Sequence, residues 1–146
     1  MGKQAQRLRA ARVAYAAGDL VEMRRLVSES SAAALAAETD DDRAEHAHLL
    51  ASFYRDIGDL SACEKYAHDA VTFVRRSGPI ILLGNHLMFL ALLLRDTNRL
   101  SEAISYAEEA LSCYVSTYAR AHGEVRYMTS VLASMRKEQT SREPES

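Results

Sequence analysis

Five histidines, two cysteines and a run of three aspartates are the side chains best suited to catalysis or metal binding in this 146-residue chain. His46 and His48 are two apart, so on a helix they point to different sides. His68, His86 and His122 stand singly. Neither Cys63 nor Cys113 has a neighbouring histidine to activate its thiol. Both cysteines lie within apolar helical patterns, the setting of buried small hydrophobes rather than of a disulfide. Asp40-Asp41-Asp42 suits the positive end of a helix macrodipole, and no paired ligands converge on it. There is no Gly-rich phosphate loop and no metal-ligand spacing. The chain is therefore expected to be no enzyme and to hold no metal or cofactor.

The remaining chemistry is recognition. Arg55 and Arg95 occupy equivalent places, 40 residues apart. Either they grip a carboxylate or an acidic peptide, or they pair with Asp56 and Asp96 or face water. What makes them equivalent is a turn. Arg55-Asp56-Ile57-Gly58-Asp59-Leu60 reads as the end of one helix and the start of the next. Ala16-Ala17-Gly18-Asp19-Leu20 precedes it by 40 residues, and Asp96-Thr97-Asn98-Arg99-Leu100 follows it by 40. Gly18 and Gly58 suit a left-handed helix end, and asparagine at 98 is the next best residue there. Asp19 caps the following helix, with Glu22 completing a capping box. A fixed period of this size marks a stacked repeat protein.

Composition agrees. Apolar residues make up 48% of the chain, and glycine (6) and proline (2) are scarce. Strong helix formers dominate and no β alternation occurs, so the chain reads as all-α. Helical periodicity predicts repeats over 4–37, 41–76 and 79–119, then a helix over 124–138. These form a single domain over 1–138, with a polar, flexible tail over 139–146. Ser77-Gly78-Pro79 is the clearest break. The helix after it is apolar nearly all round, as a centrally packed helix would be. Charged residues are 26%, of mixed sign, with net charge −2, so no nucleic-acid binding is expected. The start lacks a signal peptide's apolar run, and no stretch is long and apolar enough to span a bilayer. A cytoplasmic location follows as the expectation.

Aligned on the turn, Ala47, Leu50, Ala51 and Tyr54 fall in register with Leu87, Leu90, Ala91 and Leu94. Cys63, Ala67 and Ala70 fall in register with Ala103, Ala107 and Ala110. This pattern of small residues resembles the tetratricopeptide repeat over residues 44–111; over 4–37 only Ala11 and the Gly-Asp-Leu turn persist. The period of 40 exceeds that family's usual 34, which points to longer helices, as in kinesin light chains. The resemblance implies a right-handed superhelical α-solenoid of antiparallel helix pairs, about seven helices in all, with residues 124–138 as a solvating cap.

In that family the first helix of each pair lines a concave face where ligand peptides lie. By register, the resemblance puts Leu8, Arg12 and Tyr15 there, then His48, Ser52 and Arg55, then Met88, Leu92 and Arg95, then Met128, Leu132 and Met135. Such a face is polar and basic at one end and methionine-rich at the other. Methionine suits an adaptable apolar groove; the alternative is that the methionines and leucines pack together as core. Leu8 and Arg12 stand where the chaperone-tail clamps of this family carry lysine and asparagine, so chaperone-tail binding is not expected. The expected function is an adaptor that binds a peptide or protein segment. The alternatives are a self-associating scaffold, a homodimer among them, or part of a bacterial sensor or secretion-chaperone system.

Overall fold

A computed structural model describes residues 2–119 and 122–142. It contains seven helices: α1 Lys3–Ala16, α2 Leu20–Leu35, α3 Asp40–Asp56, α4 Leu60–Ser77, α5 Ile80–Asp96, α6 Leu100–Thr117 and α7 Gly123–Arg142. No strand occurs among the described residues.

The three turns fold alike because each has a residue in the left-handed region: Gly18 at φ 78°, Gly58 at 83° and Asn98 at 63°. In each, the next residue's N–H reaches back to close the preceding helix. Asp19, Asp59 and Arg99 donate to the carbonyls of Ala14, Tyr54 and Leu94, all at 2.9 Å. That bond satisfies a carbonyl the helix end would otherwise orphan. The Asp19 and Asp59 carboxylates then accept the N–H of Glu22 and Ala62, both at 3.1 Å, and so start α2 and α4. The expected capping box is only half formed. Asp19 N–H is already taken by the turn, and the Glu22 carboxylate turns to Arg25, with Oε2 accepting from Nε at 2.8 Å.

Two compact units divide the chain, Met1–Gly78 and Pro79–Ser146. Gly78 is extended rather than left-handed, at φ −85°. Close approach requires glycine there, since an added Cβ would stand 2.7 Å from Val74 Cγ1. Pro79 is the N-cap of α5, where its missing N–H costs the helix no hydrogen bond.

In the first unit α1 packs on α2 and α3 on α4, while α3 also packs against both α1 and α2. Leu8, Ala11, Leu26, Leu50 and Phe53 form its core. Cys63, Ala67 and Ala70 are sealed on α4, which keeps them in the contact where small side chains let helices close up. In the second unit α5 packs on α6 and α6 on α7. Ala103, Ala107 and Ala110 occupy the same register positions and are equally sealed. α5 buries Leu87, Leu90, Ala91 and Leu94, yet Ile80 and Leu82 at its start remain exposed, so its apolar circumference is not fully covered.

α7 runs four residues beyond its expected end. Gln139 Nε2 donates to Ser101 Oγ at 2.9 Å, and Arg142 Nη1 donates to Asn98 Oδ1 at 3.0 Å. These bonds fasten the first part of the expected tail to the start of α6; residues 143–146 of that tail lie outside the described residues. So do Arg120 and Ala121, in the connection before α7.

Candidate partner-binding surface

On α3, His48, Ser52 and Arg55 follow one another at spacings of four and three, which stacks them on one helix face. His48 and Ser52 are half-buried and Arg55 is exposed. From α1, Arg12 and Tyr15 lean toward the end of α3. Arg12 Nε donates to Asp56 Oδ2 at 2.8 Å, and the guanidinium lies 5.7 Å from the Phe53 ring centroid. Tyr15 Oη donates to the Ile57 carbonyl at a long 3.4 Å. Arg55 Nε stands 3.8 Å from the other oxygen of Asp56. One carboxylate thus sits between two guanidinium groups, which leaves this corner of the first unit cationic.

The sequence left open whether Arg55 and Arg95 pair with the next residue. Both do so loosely, for Arg95 Nε lies 3.7 Å from Asp96 Oδ1. Exposed pairs of this length contribute at most about 1 kcal/mol, so an incoming carboxylate could displace them at little cost.

Burial holds the imidazole of His48 below its ordinary pKa, and the positive charge of Arg55 adds to the effect. His48 is therefore neutral at pH 7. The folded state resists protonating it while the unfolded chain does not, so the unfolded state binds more protons as pH falls. Stability is full above pH 6.5 and falls as pH drops below that value toward the lowered folded pKa. His48→Gln is expected to flatten this acid limb of an unfolding-midpoint profile, and an NMR titration of the wild type should place the His48 midpoint below 6.5.

On α5 of the second unit, Met88, Leu92 and Arg95 repeat the same spacing, and all three are half-buried. The Met88 sulfur lies 3.9 Å from the Tyr114 hydroxyl. That row is apolar with a cation at its end, whereas the α3 row is polar throughout.

Met128, Leu132 and Met135 depart from the expected surface. All three are buried, with exposures of 0, 4 and 0%. With Val125 and Val131 they form the single apolar stripe of α7, and α7 packs on α6. Among the described residues α7 packs on α6, and its apolar stripe turns onto that helix. Leu8, at the equivalent place in α1, is likewise core at 1% exposure.

The residues weighed for catalysis have structural surroundings. His122 Nδ1 accepts the Glu124 N–H at 3.2 Å at the start of α7, and its ring stacks 3.9 Å from Tyr118. Both cysteines are buried thiols, and burial pushes the Cys63 thiol pKa up, away from the reactive thiolate. Thr39 caps α3 by accepting the Asp42 N–H at 3.1 Å, and Asp40 pairs with Arg43 at 3.0 Å.

Contacts between distant positions, which no sequence motif marks, also build the site. Asp56 orders both arginines, and the Arg12 bond to it spans 44 positions. Tyr114 sets Met88 through a contact across 26 positions. The sequence offers Asp56 as a partner of Arg55, but nothing in it points to Arg12 as a second partner or to Tyr114.

Residues 84–124 match the tetratricopeptide-repeat model, a span that begins inside α5 and ends in α7. No curated protein matches the chain in sequence. Among solved structures it is similar to the nearly identical TPR-like repeats ascribed to a kinesin light chain of Podosopora anserina. The TM-score is 0.69 at 16% identity, covering 92% of this chain and 67% of that one. A single-substitution variant of the same repeats gives a TM-score of 0.70 at 16% identity, with the same coverage. At that identity the likeness shows a shared fold: an all-α, TPR-like array of helix pairs. The family is one of protein–protein interaction modules. No helix of the described residues is long and apolar enough to cross a membrane.

Proposed function

We propose that this chain is a non-catalytic, cytoplasmic adaptor whose first-helix faces receive a segment of a partner protein. The observation that carries the reading is the pair of rows at one repeat position, His48–Ser52–Arg55 and Met88–Leu92–Arg95, all half-buried but for the exposed Arg55. Core positions in this fold are sealed, and these are not. The α3 row, with Arg12 beside it, suits an acidic group. The α5 row suits an apolar side chain, which Met88 can follow because its thioether chain is unbranched.

Burying one such side chain is worth about 1.5–3 kcal/mol. A charge-assisted bond at Arg95 adds to the burial on the α5 row. Met88→Asp combined with Leu92→Asp is expected to abolish partner capture while circular dichroism shows unchanged helix. Loss of the helical signal would instead make the two residues core and remove the reading.

Self-association is a second reading, favoured by Val13 and Val21, which are 66 and 79% exposed. Sedimentation at rising concentration separates the two, since a persistent monomer leaves only the adaptor.

A further inference from the structure

The first unit has a second recess, on the other side of α3 from His48, Ser52 and Arg55. A cavity of about 220 Å³ opens between α2 and α4, with α3 as its floor. Ala34, Leu35, Ala47, Leu50, Tyr66 and Phe73 give it an apolar lining. Ala47 and Leu50 are sealed beneath it, while Leu35 on its wall is 88% exposed. On a helix of 3.6 residues per turn, positions 43, 47 and 50 lie roughly opposite positions 48, 52 and 55, so the two surfaces can be probed separately.

Three charged residues also line the cavity: Arg43, Lys65 and Asp69. Arg43 is occupied by Asp40 at 3.0 Å. Lys65 and Asp69 differ from it. They stand four apart on α4, the spacing at which opposite charges usually meet, yet they form no ion pair with each other. Lys65 Nζ lies over the Tyr66 ring, 5.1 Å from its centroid. That ring is held in turn by stacking on Tyr54, with centroids 5.6 Å apart and planes within 4°. Among the described residues Asp69 has no hydrogen-bond or ion-pair partner. One cation and one anion, a helical turn apart, thus border an apolar recess without neutralising each other.

We propose that this recess docks an amphipathic helix of a partner protein. One bulky apolar side chain of that helix enters the cavity, an acidic residue meets Lys65, and a basic residue meets Asp69. The charges argue for this occupant. A ligand of one sign would be attracted by one residue and repelled by the other. A helix carrying both signs one turn apart satisfies both, because its own spacing repeats that of α4. The recess lies between two helices, the setting in which an apolar helix face is commonly received. This surface is independent of the first-helix rows proposed above.

The test uses the full chain and three synthetic helical peptides that share a central leucine. They differ in the two residues flanking it at a four-residue spacing: Glu with Lys, Glu with Glu, or Lys with Lys. Fluorescence anisotropy should rank the mixed peptide tightest on the wild type. Lys65→Glu should shift the preference to the Lys–Lys peptide, and Asp69→Lys to the Glu–Glu peptide, each by about tenfold. Leu35→Asp should abolish binding of all three while circular dichroism is unchanged. An unchanged ranking in the charge variants would overturn the proposal, as would absence of binding by every peptide. Equal loss of binding in the Met88→Asp, Leu92→Asp variant would also overturn it, since the peptides would then occupy the other surface. Self-association that competes with the peptides and disappears in the charge variants would make the occupant a second copy and contradict the proposal as well.

Discussion

Replacing Tyr114 with alanine is expected to destabilise the second unit by about 3–5 kcal/mol, the range for deleting a fully buried aromatic side chain. Tyr114 has 0% exposure and is the largest fully buried side chain among the described residues. Its ring fills the space over Gly84, where an added Cβ would stand 3.3 Å from Cε1 and 3.1 Å from the Cys113 Cβ. α5 can lie this close to α6 because position 84 has no side chain. Tyr114 Oη donates to Asn85 Oδ1 at 2.6 Å. Burial, followed by the negative charge of Glu124, pushes its pKa up to about 12, so it remains a donor across the neutral range. Tyr114→Phe keeps the packing and loses one hydrogen bond, about 1 kcal/mol. Denaturant unfolding of the two variants should show this gap. Equal losses would mean that the hydroxyl, not the ring, holds the unit together.

The second large effect separates two methionines that the repeat treats as neighbours in type. Met135→Asp should release α7. Truncating a buried methionine costs about 2–5 kcal/mol, and an unpaired carboxylate in the same place costs more. Amide exchange along α7 should rise to near the unprotected rate as the tethers from Gln139 and Arg142 are lost. Met88→Asp, at a half-buried position, should leave the exchange pattern of α5 nearly intact. If both variants lost protection alike, Met88 would be core and the α5 row would not be a surface.

This contrast shows how far the sequence could be read. The turns were legible because left-handed backbone selects glycine or asparagine, and that preference prints a ruler at positions 18, 58 and 98. The small residues at 67, 70, 107 and 110 were legible because close helix packing excludes larger ones. Leu8, His48, Met88 and Met128 share one repeat position, and the ruler cannot tell them apart. Leu8 and Met128 are sealed, while His48 and Met88 are half-buried. The difference depends on what packs beside each helix, which the residue's place in the repeat does not specify. Nor does local spacing foresee that Arg12 crosses to Asp56, 44 positions on. The failed capping box has a similar origin, since the turn and the cap compete for one N–H and geometry decides between them.

Site-specific photo-cross-linking bears most directly on the claim that the first-helix rows receive a partner. A photoreactive residue placed at Leu92, or at Ser52, in this chain should give one discrete cross-linked partner in the native host. The same residue at the exposed Ser112 of α6 should not yield that partner. A partner captured equally from all three positions would contradict the account, as would capture of only a second copy of the chain from the two row positions.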